Sequence, residues 1–344
     1  MIPLAIPHLT GREQQYVAEA LAANEVAAGG FVERFERAVC DSTGARYAIA
    51  TSSGTAALHI ALLLAGVGPG DRVIVPATTF IATVNAVRYC GARPLIVDVD
   101  PETWTIDIDA TEDALKVGAK AMIPVHLYGH PCHMDELRAL GVKYHAAVVE
   151  DAAEALGALY KGRPIGRDGL ATLSFNGNKL ITTGGGGMLL TDDRKQADKA
   201  RYLIGQARED ATLLIYGPGF NYRMPNVNAA IGCAQMETIE DRLKSKRETA
   251  EHYQSALPMF REQPWARSSY WLSAVKVDDA EATRQRLAAL GIETRRVWRP
   301  LTRQPGLSGS APVADGLYAH WLTLPSSVGI TAGERERVIE ALKA

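Results

Sequence analysis

A run of small hydroxyl residues, a carboxylate and a lysine each follow an apolar segment of this 344-residue sequence. The small residues of Thr51–Ala57 let backbone amides approach an anion, and a helix beginning there would bind a phosphate. Asp151 follows the apolar run Ala146–Val149, which places a carboxylate at the end of a predicted strand. Lys179 follows an Asn-Gly turn, and a partly desolvated lysine can lose its proton and attack a carbonyl carbon. The three segments therefore supply, in this order, a phosphate cradle, a carboxylate and a nucleophilic amine.

Each of these features has a structural interpretation when it stands alone. Serine, threonine and aspartate commonly cap helices, and a single lysine is most often a solvated surface charge. Lys179, however, is followed by Leu180–Thr183 and four glycines, and such neighbours are unusual for a lysine on the surface. The functional interpretation therefore depends on the three features meeting at one place.

The elements that would bring them together form an alternating pattern. From about Gly44 to Asp193, short apolar or β-branched runs alternate with longer helical patterns, which is typical of βαβ units around a mostly parallel sheet. Ligands of such sheets bind beyond the carboxyl ends of the strands. The predicted strands are Tyr47–Ala50, Arg72–Val75, Pro94–Val97, Ala121–Val125, Ala146–Glu150, Ala171–Phe175 and Met188–Thr191, with helices that include Thr55–Ala65, Thr79–Tyr89 and Met134–Leu140.

After Asp193 the pattern is mainly helical. Lys195–Gln206 predicts one helix, and a single long, bent helix would satisfy the apolar spacing of Asn226–Leu257. We therefore predict a large domain over residues 1–240 and a smaller C-terminal α/β domain over residues 241–344. The predicted elements of the smaller domain are a strand at Tyr270–Val277 and helices at Asp279–Leu290 and Thr331–Lys343.

Several collinear segments carry a resemblance to a known family. They are Ser53–Leu58, Gly68–Asp71, Thr79–Ala82, Glu150–Gly157, Ser174–Lys179 with Thr182–Gly184, and Asn221–Met224. Through them the chain resembles the DegT/DnrJ/EryC1/StrS family of sugar aminotransferases, and a match that spans most of the chain is specific. The resemblance implies the α/β fold type I of enzymes that depend on pyridoxal 5'-phosphate (PLP). This fold has a mostly parallel central sheet flanked by helices and a smaller C-terminal α/β domain.

The same resemblance implies a role for each matching residue. Lys179 would hold PLP through a Schiff base and shuttle the proton, while Asp151 would pair with the pyridine nitrogen and keep it protonated, so that the ring accepts electrons. Glu154 would lie near the phenolic oxygen and Phe80 would stack on the ring. Asn221 would reach the phosphate from the neighbouring subunit, which implies a homodimer with shared active sites. The implied catalytic residues are Lys179 and Asp151, and the implied cofactor-binding residues are Ser53, Gly54, Thr55, Phe80, Asp151, Glu154, Ser174, Lys179 and Asn221.

The resemblance also suggests a substrate. Asn176–Lys179, Gln206–Asp210, Tyr270–Ser273 and Ile292–Arg299 are similar to the branch that makes UDP-4-amino-4,6-dideoxy-N-acetylglucosamine in the bacillosamine pathway. We therefore expect transfer of an amino group from L-glutamate to C4 of a nucleotide-linked 4-keto-6-deoxy sugar, with UDP-2-acetamido-4-keto-2,6-dideoxyhexose as the first candidate. That branch commonly has a histidine where Thr302 stands.

Three other activities compete with this expectation. One is a GDP-perosamine synthase-like aminotransferase, which the same core motifs support. Another is a PLP-dependent sugar dehydratase, but relatives with that activity have histidine in place of the lysine. A third is a non-catalytic PLP-binding regulator, for which no added helix-turn-helix or basic segment is present.

Composition and charge narrow the partners further. A formal net charge of -2 supplies no general attraction for nucleic acid or an anionic membrane. The first residues lack the basic and apolar regions of a signal peptide, and no apolar stretch is long enough to cross a bilayer, so we expect a cytoplasmic protein. The four cysteines are far apart and form no metal-binding pair, and we interpret the histidines of His126–His133 as structural. No metal site is predicted.

Overall fold

A computed structural model describes residues 1–209, 214, 215 and 217–344. Asp210, the last residue of the segment Gln206–Asp210, lies outside the described residues. The helices of the described part are α1 (Arg12–Ala22), α2 (Gly30–Thr43), α3 (Gly54–Leu64), α4 (Ala82–Tyr89), α5 (Ile108–Lys116), α6 (Met134–Tyr144), α7 (Arg194–Ile204), α8 (Asn226–Met236), α9 (Ile239–Ala256), α10 (Ala280–Ala289), α11 (Pro312–His320) and α12 (Ala332–Lys343).

The strands form one large sheet and two small ones. The large sheet has the order β1-β9-β8-β5-β4-β2-β3, and the small sheets have the orders β10-β6-β7 and β11-β13-β12. The strands are β1 (Tyr47–Thr51), β2 (Arg72–Pro76), β3 (Arg93–Val97), β4 (Ala121–Met122), β5 (Ala147–Asp151), β6 (Leu159–Tyr160), β7 (Arg163–Pro164), β8 (Leu170–Ser174), β9 (Gly187–Thr191), β10 (Ala266–Arg267), β11 (Ser273–Lys276), β12 (Arg295–Arg296) and β13 (Trp321–Leu324).

The large sheet is mostly parallel, which confirms the predicted fold class. The pairs β2–β3, β2–β4, β4–β5 and β5–β8 are parallel, while β9 runs antiparallel to both β1 and β8. Since β9 separates β1 from β8, those two strands run in the same direction. The carboxyl ends of β1, β2, β5 and β8 therefore open at one edge of the sheet.

Helices cover both faces of the large sheet because successive strand residues alternate between two apolar cores. In β1, Ala48 and Ala50 join one core, to which α2 contributes Phe35 and Val39. Ile49 joins the other core, to which α3, α4 and α7 contribute apolar residues. Helix α3 follows β1, and most of its residues are buried.

Several predicted elements differ in the structure, and the strand predicted over Tyr270–Val277, for example, is confined to Ser273–Lys276. The residues predicted as one bent helix form two, α8 and α9, because Thr238 leaves helical geometry with φ -120° and ψ 21°. The carboxylate of Glu237 at this break bonds to Arg12, Tyr16 and Arg34, so contacts with α1 and α2 favour the break. The strand predicted over Ala121–Val125 ends at Met122, and Val125 makes only an isolated bridge to Asp151.

The C-terminal part has its own small sheet and apolar core. Strands β11, β13 and β12 pair antiparallel, and residues of α9, α10 and α12 pack on them. The proposed boundary between residues 240 and 241 falls inside α9, which begins at Ile239, and it stays a prediction. No helix in the described part is both long and apolar enough to cross a membrane.

Candidate active site

A cavity of about 420 Å³ opens at the carboxyl edge of the large sheet. All the predicted site residues except Asn221 line it, although they come from separate parts of the chain. The lining also includes residues to which the sequence assigned no role. The lining residues include Ser53, Gly54, Thr55, Phe80, Thr83, Asp151, Glu154, Ser174, Lys179, Trp271, Arg295 and Trp298.

The hydroxyl-rich segment forms the start of α3. Ser53 is the N-cap, and its Oγ accepts a hydrogen bond from the amide of Ala56 at 3.1 Å. A Cβ on Gly54 would lie 2.9 Å from Cβ of Ser174, so only glycine lets α3 approach β8 this closely. The helix N-terminus therefore presents amides and hydroxyl groups to the cavity, which is an arrangement that binds phosphate.

Asp151 lies at the end of β5 and is 4% exposed. Its Oδ2 accepts a hydrogen bond from Thr83 Oγ1 at 2.9 Å, and its Oδ1 accepts one from the amide of Ala153 at 3.2 Å. Burial raises the pKa of Asp151, and these two hydrogen bonds and the charge of Lys179 only partly oppose that effect. Among the described residues no basic side chain forms an ion pair with it. A cation bound in the cavity would supply the positive charge that Asp151 lacks.

Lys179 and Glu154 face each other across the cavity. Their Nζ and Oε1 atoms are 3.6 Å apart. The amide of Tyr128 donates to Glu154 Oε2 at 2.8 Å, and the indole of Trp298 donates to Oε1 at 3.3 Å. Burial lowers the pKa of Lys179, whereas the charges of Glu154 and Asp151 raise it. The amine of Lys179 thus loses its proton more easily than the amine of an exposed lysine does, and the carboxylate of Glu154 lies close to it.

Trp271, Trp298 and Phe80 form one aromatic wall of the cavity, and of these only Phe80 has a role that the resemblance implies. The ring of Trp271 lies 3.7 Å from Lys179 Nζ, measured to the ring centroid. Trp298 stacks on Trp271 at 6.4 Å between centroids and makes a tilted contact with Phe80 at 5.2 Å. Phe80 is 52% exposed and lies at the mouth of the cavity. Both tryptophans occur in the segments Tyr270–Ser273 and Ile292–Arg299, so the resemblance was the only signal that could have found them.

Asn221 does not line the cavity of its own chain. Its backbone forms an isolated bridge to Gly205, and its side chain is exposed. The neighbouring Tyr222 accepts a hydrogen bond from the amide of Ser52, which fixes this segment beside the end of β1. The resemblance implies that Asn221 reaches the phosphate of the neighbouring subunit, and this contact stays a prediction.

The histidines of His126–His133 have structural partners. His126 is fully buried, its Nδ1 accepts the amide of Cys132 at 3.0 Å and its Nε2 lies 3.2 Å from Glu150. His130 Nε2 accepts the amide of Gln263 at 3.1 Å. These contacts agree with the structural interpretation of the two histidines.

These residues fit PLP. A cationic ring nitrogen would pair with the carboxylate of Asp151, and the N-terminus of α3 would hold the phosphate. Lys179 lies in the same cavity, where its amine can reach an aldehyde carbon. The N-terminus of α3, Asp151 and Lys179 are the three groups that the cofactor requires, and all three line the same cavity.

The family model described as the DegT/DnrJ/EryC1/StrS aminotransferase family matches residues 7–343. The chain belongs to this family. It is a PLP-dependent sugar aminotransferase, as the resemblance implied, and helix and sheet organisation agrees with that assignment.

Curated relatives of this aminotransferase cover almost the whole chain. GDP-perosamine synthase of Caulobacter vibrioides is 40% identical, with 99% of this chain and 97% of the relative covered. GDP-perosamine synthase of Escherichia coli O157:H7 is 39% identical, with 94% and 93% covered. The putative PLP-dependent aminotransferase EpsN of Bacillus subtilis is also 39% identical, with 99% and 95% covered.

Solved structures confirm fold type I for this aminotransferase. The putative sugar aminotransferase Spr1654 from Streptococcus pneumoniae, in its PMP form, superposes with a TM-score of 0.95 at 26% identity, covering 100% of this chain and 98% of that one. DesV of S. venezuelae, in complex with a ketimine intermediate, superposes with a TM-score of 0.94 at 30% identity, covering 99% and 98%.

Proposed function

We propose that this aminotransferase moves an amino group from L-glutamate to C4 of a GDP-linked 4-keto-6-deoxy sugar that lacks an N-acetyl group. The observation that carries the proposal is the cavity holding Lys179, Asp151 and Glu154, in a chain 40% identical to a GDP-perosamine synthase. This replaces the UDP-linked N-acetyl sugar as the first candidate. The branch that makes the UDP-linked product commonly has a histidine where this chain has Thr302, and Thr302 does not line the cavity.

The residues of the cavity have separate roles toward the cofactor and the reacting amine. PLP, when bound, supplies the electron sink for the carbon that gains or loses the amino group. Ser53, Gly54, Thr55 and Ser174 would hold its phosphate, and Asp151 would keep its ring nitrogen protonated. Lys179 carries the proton at Nζ, and Glu154, 3.6 Å away, stabilises the charged amine.

The open side of the cavity suits an anionic sugar substrate. Arg295 lines this side, and among the described residues it forms no ion pair. Its guanidinium lies 5.7 Å from the ring centroid of Trp298. A cation beside an exposed aromatic face can hold a diphosphate or carboxylate while a sugar packs on the ring. The binding energy of the remote nucleotide would then position the ketone.

The nucleotide is tested with the glutamate-loaded enzyme and a matched set of ketones. We expect the GDP-linked 4-keto-6-deoxy sugar to give a higher kcat/KM than the UDP-linked N-acetyl and dTDP-linked ketones, and free sugars to react poorly. Lys179→Ala serves as the inactive control. A higher kcat/KM for the UDP-linked N-acetyl ketone would refute the GDP assignment and restore the bacillosamine-type substrate, while the aminotransferase assignment would stand.

The proposal includes a homodimer whose protomers share sites. Asn221 is exposed and lies outside the cavity of its own chain, which suits a residue that reaches the phosphate of the neighbouring protomer. The predicted division at residues 240 and 241 would leave this segment in the large, PLP-binding domain.

Sharing is tested by mixing inactive Lys179→Ala and Asn221→Ala protomers. Random exchange of equal amounts makes about half of the dimers mixed, each with one intact site, so about a quarter of wild-type activity should return. Native mass spectrometry of differently tagged protomers checks that mixed dimers form, and Asn221→Ala alone must be strongly impaired. Activity that never exceeds the weighted sum of the parents would rule out sharing.

A further inference from the structure

Lys246 of α9 is a buried cationic residue outside the cavity. It is 4% exposed, and burial lowers the pKa of its amine to about 7. Its Nζ donates to the carbonyl oxygen of Trp271 at 2.9 Å and to the carbonyl oxygen of Ser326. Among the described residues no carboxylate forms an ion pair with it. Burying an amine without a counter-charge is costly, so these two contacts need an explanation.

The two carbonyl groups belong to segments that flank the small C-terminal sheet. Trp271 precedes β11, Ser326 follows β13, and the amide of Ser273 also donates to Ser326 Oγ at 3.1 Å. Lys246 therefore ties α9 to both segments. The backbone of Trp271 is thus held by a residue that does not line the cavity.

The side chain of Trp271 contacts the lysine turn at two points. Its ring lies 3.7 Å from Lys179 Nζ, within the range of a cation–π interaction. Its Nε1 donates to the carbonyl oxygen of Asn178 at 2.6 Å. Tyr128 and Trp298 lie beside the indole, at 6.0 Å and 6.4 Å between centroids, and limit its movement.

We propose that Trp271, anchored by Lys246, is a positioning residue that fixes where the Lys179 amine lies in the cavity. Lysine has a flexible four-carbon stem, and a misplaced reacting group lowers the rate strongly. The indole supports the amine from one side and fixes the adjacent backbone through Asn178. Lys246 acts on the amine only through Trp271.

The inference rests on the proposed function only because it assumes that Lys179 binds the cofactor. The charged groups that face the Lys179 amine are Glu154 and Asp151 of the β5 segment and Arg295 of β12. All three remain in the variants below. Any change in titration of the amine would therefore reflect its position relative to Trp271 and these groups.

The test uses the visible absorption of the lysine-bound cofactor in the holoenzyme, titrated with pH. Trp271→Leu removes the aromatic face beside the cation, so we expect the titration midpoint to fall by about one pH unit. The kcat should fall about tenfold while KM for the keto-sugar stays within about twofold. Trp265→Phe is the matched control, since Trp265 packs on His133 and Tyr160 away from the cavity, and it should change neither quantity.

Lys246→Met separates anchoring from charge. If Lys246 anchors Trp271, its loss should lower the midpoint in the same direction as Trp271→Leu, and the double variant should resemble Trp271→Leu alone. If Lys246 acted as a nearby positive charge, its loss would raise the midpoint, and the proposal would be wrong.

A further variant keeps the test decisive if Trp271→Leu does not fold. Trp271→Phe retains an aromatic face but loses the indole N–H, so we expect a smaller fall in the midpoint and a roughly threefold lower kcat. A wild-type midpoint and kcat in Trp271→Phe together with a wild-type midpoint in Lys246→Met would overturn the proposal. The absorption measurement needs no sugar, so a wrong substrate assignment would leave it interpretable.

Discussion

Glu150 and Asp151 are consecutive residues of β5 with different surroundings on the two faces of the sheet. Glu150 accepts hydrogen bonds from Arg138 at 2.9 Å and from the amide of Gly166 at 3.1 Å, and His126 Nε2 lies 3.2 Å away. Burial alone raises the pKa of Glu150, but the contacts with His126 and Arg138 outweigh it and hold the pKa below its usual value. The charge of Glu150 is thus balanced within the described chain.

Asp151, in contrast, forms no ion pair with a basic side chain among the described residues. A hydroxyl and an amide are its hydrogen-bond donors, and burial raises its pKa. Because side chains alternate along a strand, Glu150 lies in a structural ion pair on one face of the sheet, whereas Asp151 lies on the other face, at the cavity. Full pairing is typical of a carboxylate that stabilises the fold, and the incomplete pairing of Asp151 agrees with the proposal that it binds a cofactor.

The largest difference between the two carboxylates should be in catalysis. Asp151→Asn removes the charge that, in the proposed function, would keep the cofactor nitrogen protonated, so we expect kcat to fall by about 10²–10³-fold. Glu150→Gln is the matched neighbour, and its folded fraction should lose no more than about twofold in kcat. The measurement is single-turnover reaction with glutamate, corrected for bound cofactor. Equal losses of kcat in the two variants would show that Asp151 is no more important for catalysis than Glu150.

The second difference should be in stability. Glu150→Gln breaks a buried charged contact with Arg138, and we expect the free energy of unfolding to fall by about 3 kcal/mol. Asp151→Asn removes an unbalanced buried charge, so the cofactor-free protein should gain about 1 kcal/mol. Urea unfolding of both cofactor-free variants checks the opposite signs. Destabilisation of Asp151→Asn by as much as Glu150→Gln would mean that both carboxylates serve the fold.

The smallest expected effect is the pH dependence of those two changes. Glu150 has a lowered folded pKa, so its contribution is present above the ordinary value of 4.5 and is lost as the pH falls below it. Asp151 has a raised folded pKa, so its charge destabilises the fold above the ordinary value of 3.8, and protonation relieves this as the pH falls.

Both substitutions should accordingly matter less at low pH. As the pH falls from 7 toward 4, the gain caused by Asp151→Asn should shrink, whereas the loss caused by Glu150→Gln should stay nearly constant down to the ordinary value of 4.5 and shrink only below it. Urea unfolding repeated across this range measures both trends. A gain in Asp151→Asn that increased toward pH 4 would contradict the raised pKa of Asp151.

Local patterns were sufficient for the main elements. The predicted strand Tyr47–Ala50 corresponds to β1, and the predicted strand Met188–Thr191 corresponds to β9. Helix continuity was harder to predict, since Asn226–Leu257 has suitable apolar spacing throughout. The break after α8 depends on bonds from Glu237 to α1 and α2, more than 200 positions away. No local pattern contains such contacts.

The sequence by itself determined the order of cradle, carboxylate and lysine, because each belongs to a short segment with its own strand and turn signals. Only the tertiary structure decided which of two adjacent carboxylates is paired within the chain, since Arg138 and Thr83 come from different helices on opposite faces of the sheet. It also decided that Trp271 supports Lys179, through a bond to a carbonyl oxygen 93 positions away. Burial and charge pairing arise when distant segments pack together, so spacing along the chain does not reveal them.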